Sequence, residues 1–257
     1  MKKIFLGLAI FLVTSQSFAG LKTKIVEYKD GDTVLEGYLA YNTSVKPPRP
    51  GILVVHEWNG LGHFAKHRAE QLAKMGYVAF AADIYGKGVR PDTFGGCKNE
   101  SGKYYKNRAL LRKRVTLGLS QLKNNEMVDP GKLAAIGYCF GGETVLDLAR
   151  SGADVKGVVS FHGGLDSPNT ADARNIKGKI LVCQGGDDQF TLPALPDFQK
   201  EMDDAKVDYR VITYKGAVHG FTNPDNKGDV EGLKYNRDAD RGSWKAMRAF
   251  FKEIFKD

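Results

Sequence analysis

The chain has 257 residues, of which 42% are hydrophobic, and it carries a formal net charge of +8 from 38 basic and 30 acidic side chains. This length suits one large α/β domain with a sizeable core, and the sequence contains no internal repeat, low-complexity tract or interdomain linker. The basic excess is spread along the chain without interleaved aromatic residues, so we expect no nucleic-acid partner.

The first 19 residues have the pattern of an export signal. Lys2 and Lys3 form a basic head, residues 4–13 are almost wholly apolar, and small side chains stand at Ser17 and Ala19. The apolar core of about ten residues is half of the roughly 20 that a spanning helix needs. We therefore expect cleavage of residues 1–19, a periplasmic or secreted mature protein of residues 20–257 that forms a single domain, and no membrane contact after cleavage.

Extended segments and helices alternate along the rest of the chain. Residues 25–28 and 33–41 flank "KDGD", whose Asp-Gly favours the tight turn of a β-hairpin. Continuous apolar runs then alternate with segments of helical period, as is typical of strands buried on both faces of a parallel sheet. The predicted strands are "GILVVHE", "YVAFAADIY", "LAAIGY", "GVVSFHG", "KILVCQG" and "YRVITYK". The pattern predicts an α/β fold: a mostly parallel, doubly wound sheet with an antiparallel N-terminal hairpin.

Two helical stripes and four polar side chains complete this prediction. The stripes consist of Leu111, Val115, Leu119 and Leu122, and of Trp244, Met247, Phe251 and Ile254. Reactive groups of such sheets gather beyond the carboxyl ends of the parallel strands. Glu57, Cys139, Asp188 and His219 each follow a predicted parallel strand. We therefore expect these four side chains to meet at one edge of the sheet.

The segment "GYCFG", residues 137–141, has the form of a nucleophile elbow with cysteine at its centre. A strand that turns directly into a helix holds Cys139 in a strained backbone conformation at the helix N-terminus, which leaves room only for glycine two positions away. The helix terminus favours the thiolate and directs the N–H of Phe140 towards an oxyanion. The N–H of Trp58, in the loop after the first parallel strand, is the natural second donor.

A nucleophile of this kind needs a base and a carboxylate, in the chain order nucleophile, acid, histidine. "GGDDQFTLP" and "GAVHGF" supply Asp188 and His219 in that order, and Asp187 stays an alternative to its neighbour. Three further residues are candidates for the substrate pocket: His162, Tyr85 and Phe221. His162, which ends a strand at the same edge, either lines the pocket or satisfies a buried carbonyl.

Six motifs together resemble the dienelactone hydrolase family of cysteine-dependent α/β hydrolases. They are "VVHEWNGL", "AADIYGKG", "AAIGYCFGG", "VSFHGGL", "QGGDDQFTLP" and "VHGFTNP", and they span nearly the whole chain after residue 19. The resemblance implies the α/β-hydrolase fold and hydrolysis of a small-molecule ester or lactone by Cys139, with His219 as base and Asp188 as its partner. It also implies that Glu57 lies beside the thiol, where its charge would oppose the thiolate until substrate rearranges it.

The sequence departs from the family's founding activity in one respect. That activity uses arginines to hold a substrate carboxylate, and none of the arginines available here falls in a matching motif: Arg90, Arg108, Arg112 and Arg241. The natural substrate therefore stays open.

Parts of the sequence are also compatible with functions other than hydrolysis. "HEWNG" begins like a zinc-protease motif, but the second histidine ligand is replaced by Gly60, so we expect no metal, and no motif requires another cofactor. The alternative function is a non-hydrolytic thiol or redox sensor, or a ligand-binding protein, on the same fold. A bridge between Cys97 and Cys183 is left open. A monomer is the simplest expectation, although the sequence does not decide the oligomeric state.

Overall fold

A computed structural model describes residues 20–256, which form one eight-stranded sheet with helices on both faces. The strand order is β1-β2-β4-β3-β5-β6-β7-β8, with β1 and β2 antiparallel to their neighbours and all other pairs parallel. The strands are β1 (Leu21–Asp30), β2 (Thr33–Asn42), β3 (Arg49–Val55), β4 (Val78–Ala82), β5 (Val128–Tyr138), β6 (Gly157–Phe161), β7 (Lys179–Gly185) and β8 (Tyr209–Tyr214). The predicted α/β-hydrolase architecture is confirmed.

Six α-helices cover the sheet within residues 20–256. They are α1 (His63–Lys74), α2 (Phe94–Tyr105), α3 (Arg108–Lys123), α4 (Phe140–Arg150), α5 (Leu195–Asp204) and α6 (Arg237–Ile254). Two short 3-10 helices, Thr170–Asn175 and Leu192–Ala194, lie in connections. Helices α3, α4 and α5 pack on one face of the sheet and α1 and α6 on the other, each side with its own hydrophobic core.

The amphipathic stripes explain this packing. Leu111, Val115 and Leu122 of α3 are fully buried against the sheet, and Leu119 is nearly so. In α6, Met247 is also fully buried. The central strands β4 and β6 are buried at every position, as continuous apolar runs predict.

Strand boundaries differ from the predicted ones mainly at β5. This strand begins at Val128, five residues before the apolar run at Leu133, because Val128 pairs with Arg49 across a register shift. The residues between Val128 and Leu133 are mostly polar and lie where the pairing of β5 with β3 is irregular. A hydrophobic pattern alone therefore does not reveal the start of β5.

The strand order fixes where a site can form. From β3 the chain crosses to β4 on one side, and it then returns to place β5 on the other side of β3. The carboxyl ends of β3 and β5 therefore flank the topological switch point, where α/β sheets open a crevice. The loop after β3 begins with His56 and Glu57, and β5 leads directly into Cys139.

The three cysteines are free thiols, so Cys97 and Cys183, both buried, are not bridged. No helix within residues 20–256 combines the length and apolar character of a membrane span. The predicted export signal, residues 1–19, lies outside the described residues, as does Asp257.

Candidate active site

The turn from β5 into α4 holds Cys139 in a left-handed conformation, with φ of 54°. Two glycines make this turn possible. A Cβ on Gly137 would lie 1.9 Å from the carbonyl oxygen of Gly141, and a Cβ on Gly141 would lie 2.3 Å from that of Val55. Both approaches are far below van der Waals contact, so the backbone closes here only with glycine. The thiol consequently stands at the start of α4.

His219 brings an imidazole to this thiol from the loop after β8. Its Nε2 lies 3.1 Å from Cys139 Sγ, and its Nδ1 donates to Asp188 Oδ2 at 2.8 Å. Burial alone would lower the pKa of His219, but the Cys139 sulfur and the Asp188 carboxylate outweigh burial and raise it. The imidazolium form is therefore stabilised beside the sulfur.

Asp188 is a fully buried acceptor at the end of β7. Besides the bond from His219, it accepts from the backbone N–H groups of Phe190 at 3.0 Å and Thr191 at 3.2 Å, and from the Thr191 hydroxyl at 2.7 Å. Burial would raise the pKa of Asp188, but these hydrogen bonds and the charge of His219 lower it. Asp187, the sequence alternative, is exposed, so the structure brings Asp188 and not Asp187 to the histidine.

The two predicted oxyanion donors flank the thiol. Phe140 is the first residue of α4, and the first N–H groups of a helix have no intrahelical acceptor. Its ring is fully buried, which leaves only its backbone for such a role. Trp58 follows Glu57 in the loop after β3 and lines the same cavity as Cys139. The Tyr85 hydroxyl donates to the Trp58 carbonyl at 2.9 Å and so helps to hold the loop after β3 in place.

Glu57 lines this cavity, but its hydrogen bond goes to another residue. Asn223 Nδ2 donates to Glu57 Oε2 at 2.6 Å, while Cys139 Sγ is contacted by His219. Burial raises the pKa of Glu57 from 4.5 to about 7, against the opposing hydrogen bond from Asn223. Its predicted influence on the thiol stays a prediction.

None of the three predicted pocket residues is among the residues that line the cavity. His162 and Phe221 are fully buried behind the elbow, and Tyr85 is 4% exposed beneath the Trp58 loop. Cys139 N–H donates to His162 Nδ1 at 3.2 Å, and His162 Nε2 donates to the Thr222 hydroxyl at 2.7 Å. His162 therefore supports the elbow as a neutral ring, and burial lowers its pKa well below the ordinary value.

The walls of the cavity come partly from the motifs and partly from segments that carry none, such as those of Phe94 and Val230. The cavity measures about 470 Å³ and opens above Cys139. Its lining residues include Trp58, Phe64, Phe94, Phe190, Asn223, Asp225, Asn226, Val230 and Leu233. Asn223 was detectable in principle, because it lies within the "VHGFTNP" motif, but its bond to Glu57 depends on how that loop folds.

His56 is a further residue that sequence reasoning missed. Its Nδ1 donates to the Glu57 carbonyl at 2.6 Å, and its Nε2 accepts from Ile84 N–H at 3.2 Å, which fixes a neutral ring. Burial lowers the pKa of His56 to about 4, so the ring stays neutral near pH 7. The His56 ring ties the loop after β3, which carries the predicted oxyanion donor Trp58 and is called the oxyanion loop below, to the segment that follows β4.

The four candidate arginines lie outside the cavity lining. Arg90 donates to the carbonyls of Leu61 and Gly86, and Arg108 and Arg112 both pair with Asp147. Arg241 lies on α6 and is exposed. Within residues 20–256, no group of three or more His, Cys, Asp or Glu side chains could hold a metal ion.

Comparisons with known proteins identify the family of this chain. Residues 35–255 match the model of the Dienelactone hydrolase family. Protein usf of Aquifex pyrophilus is 30% identical, over 90% of this chain and 98% of that protein. A protein of Synechocystis sp. named "Putative carboxymethylenebutenolidase" is 26% identical, over 92% and 98% of the two chains. A crystal structure described as a dienelactone hydrolase-like promiscuous phosphotriesterase, P91, from metagenomic libraries is 37% identical, with a TM-score of 0.89, and the match covers 92% of this chain and 100% of that one.

Proposed function

Because this chain belongs to the dienelactone hydrolase family, whose members hydrolyse ester or lactone bonds, we propose that it does so through Cys139, His219 and Asp188. Cys139 is the nucleophile, His219 is the general base and acid, and Asp188 orients the imidazole. One observation carries the proposal: His219 lies 3.1 Å from the sulfur and 2.8 Å from the carboxylate, and Cys139 and His219 line one cavity.

The first half-reaction forms an acyl-enzyme. Cys139 Sγ gives its proton to His219 Nε2 and attacks the carbonyl carbon, and the N–H groups of Trp58 and Phe140 stabilise the resulting oxyanion. When the intermediate collapses, the carbon–oxygen bond to the leaving group breaks and His219 Nε2 gives its proton to that oxygen. A thioester then joins the acyl group to Cys139.

Water completes the cycle. His219 Nε2 takes a proton from a water molecule, which attacks the thioester carbon, and the carbon–sulfur bond breaks. The carboxylic acid leaves, and His219 Nε2 returns the proton to Cys139 Sγ. Asp188 keeps its hydrogen bond to Nδ1 throughout, so the imidazole always presents Nε2 to the reacting atoms.

Sulfur restricts the leaving groups that this site can use. A thiolate is expelled from the tetrahedral intermediate more readily than a poor leaving group such as an amine. Aryl esters, enol esters and strained lactones are therefore the expected substrates, and peptides are expected to be cleaved slowly or not at all.

The decisive experiment is pre-steady-state release of 4-nitrophenol from 4-nitrophenyl acetate. The parent protein should give a burst equal to its concentration, and intact mass should show one acetyl group on Cys139. Cys139→Ala and His219→Ala should each abolish the burst, whereas the control His67→Ala, which changes an exposed histidine outside the cavity lining, should retain it.

The same assay separates hydrolysis from the two alternatives. A thiol sensor or a ligand-binding protein would show no stoichiometric burst, and its reaction with peroxide or its ligand affinity would not depend on His219. Release of nitrophenol that survives in Cys139→Ala would also contradict the proposal.

A second substrate class follows from the solved relative. The relative described as a promiscuous phosphotriesterase is 37% identical over nearly the whole chain, so an uncharged aryl phosphotriester belongs in the substrate panel. Turnover of diethyl 4-nitrophenyl phosphate that is lost in Cys139→Ala would extend the function to this class. Absence of turnover would limit it to carboxylic esters.

We also propose that residues 1–19 are removed on export. The basic head, short apolar core and small residues near position 19 support this reading. Intact mass of the protein from a periplasmic fraction should correspond to a chain that begins at Gly20. A cytoplasmic protein that retains Met1 would contradict it.

A further inference from the structure

The side chains that line the catalytic cavity include two carboxyl groups but no permanently charged cation among the described residues. Within residues 20–256, no lysine or arginine lines it, whereas Glu57 and Asp225 do. The histidines are His63 and His219, and His219 already pairs with Asp188 and the Cys139 sulfur. Away from the oxyanion donors, the charge of the exposed Asp225 therefore makes the outer part of the cavity unfavourable for an anionic substituent of the substrate.

Two basic side chains near this wall are engaged elsewhere. Lys227 follows Asp225 closely in the chain, but its ammonium donates to the Pro224 carbonyl at 2.5 Å and does not line the cavity. Arg90 lies behind the oxyanion loop, where it donates to the Leu61 carbonyl at 2.9 Å. Neither residue offers the bidentate contact through which arginine binds a carboxylate.

The mouth of the cavity is apolar. Phe94 is 57% exposed, Phe190 is 58% exposed and Val230 is 40% exposed, and all three line the opening. They account for three of the five large hydrophobic side chains that are exposed within residues 20–256. They come from three different segments, so their convergence is a property of the cavity and not of one sequence run. Such clustering of exposed apolar groups is a mark of a binding surface.

We infer that this cavity selects uncharged esters or lactones with an apolar substituent and discriminates against substrates that carry a carboxylate, with Asp225 as a charge-selecting residue. The inference rests on the proposed function and deepens it by naming the substrate class. A substrate carboxylate within about 8 Å of a wall carboxylate would be disfavoured by roughly tenfold. The apolar rim would add preference for a hydrocarbon group.

Three esters with a common leaving group test this inference. They are 4-nitrophenyl heptanoate, the mono-4-nitrophenyl ester of adipic acid, and the primary amide of that monoester, which matches its shape without its charge. We expect kcat/KM to fall in the order heptanoate, amide, carboxylate, with the carboxylate at least about tenfold below the amide. Raising the ionic strength should reduce the difference in kcat/KM between the amide and the carboxylate ester.

Asp225→Asn should reduce the ratio of kcat/KM between the amide and the carboxylate ester about threefold. The effect is modest because Asp225 is exposed and its charge is partly screened. Asp154→Asn is the matched control, since Asp154 is exposed and precedes β6 at the opposite edge of the sheet. It should leave the ratio of the two rates unchanged.

The outcomes distinguish the inference from the function beneath it. If none of the esters is hydrolysed, or if hydrolysis survives in Cys139→Ala, the proposed function fails. If heptanoate is hydrolysed through Cys139 but the carboxylate ester reacts as fast as the amide, only the charge selection fails. A faster reaction of the amide than of heptanoate would overturn the preference for an apolar substituent.

Discussion

The floor of the cavity and its rim are built in opposite ways. On the floor, Cys139, His219 and Glu57 each have a hydrogen-bonding partner within the protein. On the rim, Phe94 and Phe190 expose more than half of their side chains. The difference fits the proposed function, in which the floor holds the reacting atoms and the rim selects the substrate.

The floor depends on the main chain as much as on side chains. The elbow requires close approach of backbone atoms, and the proposed oxyanion donors are peptide N–H groups. The rim has no such support, because its side chains project from a helix start and two loops. Substitutions on the floor should therefore have much larger effects than substitutions on the rim.

The largest effect is expected for Gly137→Ala. Its Cβ would lie 1.9 Å from the Gly141 carbonyl oxygen, so either the elbow or the start of α4 must move. We expect loss of activity together with strong destabilisation, measured by urea unfolding and by ester hydrolysis. Gly95→Ala in α2 is the control, because nothing lies within 4 Å of the added carbon. Equal behaviour of the two variants would show that the elbow tolerates a side chain.

Asp188→Asn should lower kcat/KM by about 10²–10⁴-fold. The amide N–H₂ group would face His219 Nδ1 and favour the imidazole tautomer that cannot accept a proton at Nε2. The backbone donors of Phe190 and Thr191 can still bind the remaining oxygen, so the fold should survive. Asp187→Asn changes the exposed neighbour and should retain activity within about twofold. A comparable loss in both variants would contradict the assigned partner.

Glu57→Gln should stabilise the protein at alkaline pH. Burial raises the pKa of Glu57 to about 7, so the folded state binds this proton more tightly than the unfolded state, where the pKa is near 4.5. The stability that the folded protein gains by binding this proton is fully present below pH 4.5 and is lost as the pH rises through about 7. Because glutamine carries no charge, the free energy of unfolding at pH 8 should be higher in the variant than in the parent by up to about 3 kcal/mol.

Urea unfolding at pH 4.5 and pH 8 measures this difference. The exposed Glu126→Gln serves as the control and should show no such dependence on pH. If Glu57→Gln gains no more stability at pH 8 than at pH 4.5, the buried Glu57 carboxylate does not destabilise the folded protein at alkaline pH.

Phe190→Ala on the rim should have the smallest effect. Its backbone N–H, which binds Asp188, is retained, and only the exposed ring is removed. We expect KM for 4-nitrophenyl esters to rise about threefold to tenfold, with a much smaller change in kcat. Ile25→Ala, which trims an exposed side chain on β1, should change neither constant. A fall in kcat larger than the rise in KM would mean that the rim also positions the reacting groups.

The floor was largely accessible from sequence, for a physical reason. Glycines at 137 and 141 mark a backbone turn that few other residues permit, and the order Cys139, Asp188, His219 follows from the order of strands in this sheet. These are constraints of main chain and topology, which leave a trace in a single sequence. The choice of Asp188 over Asp187 needed coordinates, because adjacent residues point in different directions.

The pocket walls were not accessible in the same way. His162 and Phe221 end up at the correct edge of the sheet, but their side chains point inward and are fully buried. Conversely, Phe94 begins α2 and Val230 lies in an irregular loop, where no periodicity indicates a direction. The position of a residue along the chain predicts at which edge of the sheet it lies. Whether its side chain lines a cavity depends on how the loops pack.

The positive φ of Cys139 has a consequence for the history of this protein. The direction of the reactive side chain is encoded in main-chain torsions and not in the identity of the atom that it carries. Sulfur and oxygen can therefore be exchanged there by a single nucleotide change, without rebuilding the surrounding scaffold. A lineage with this turn can alternate between thiol and hydroxyl chemistry while keeping the same architecture.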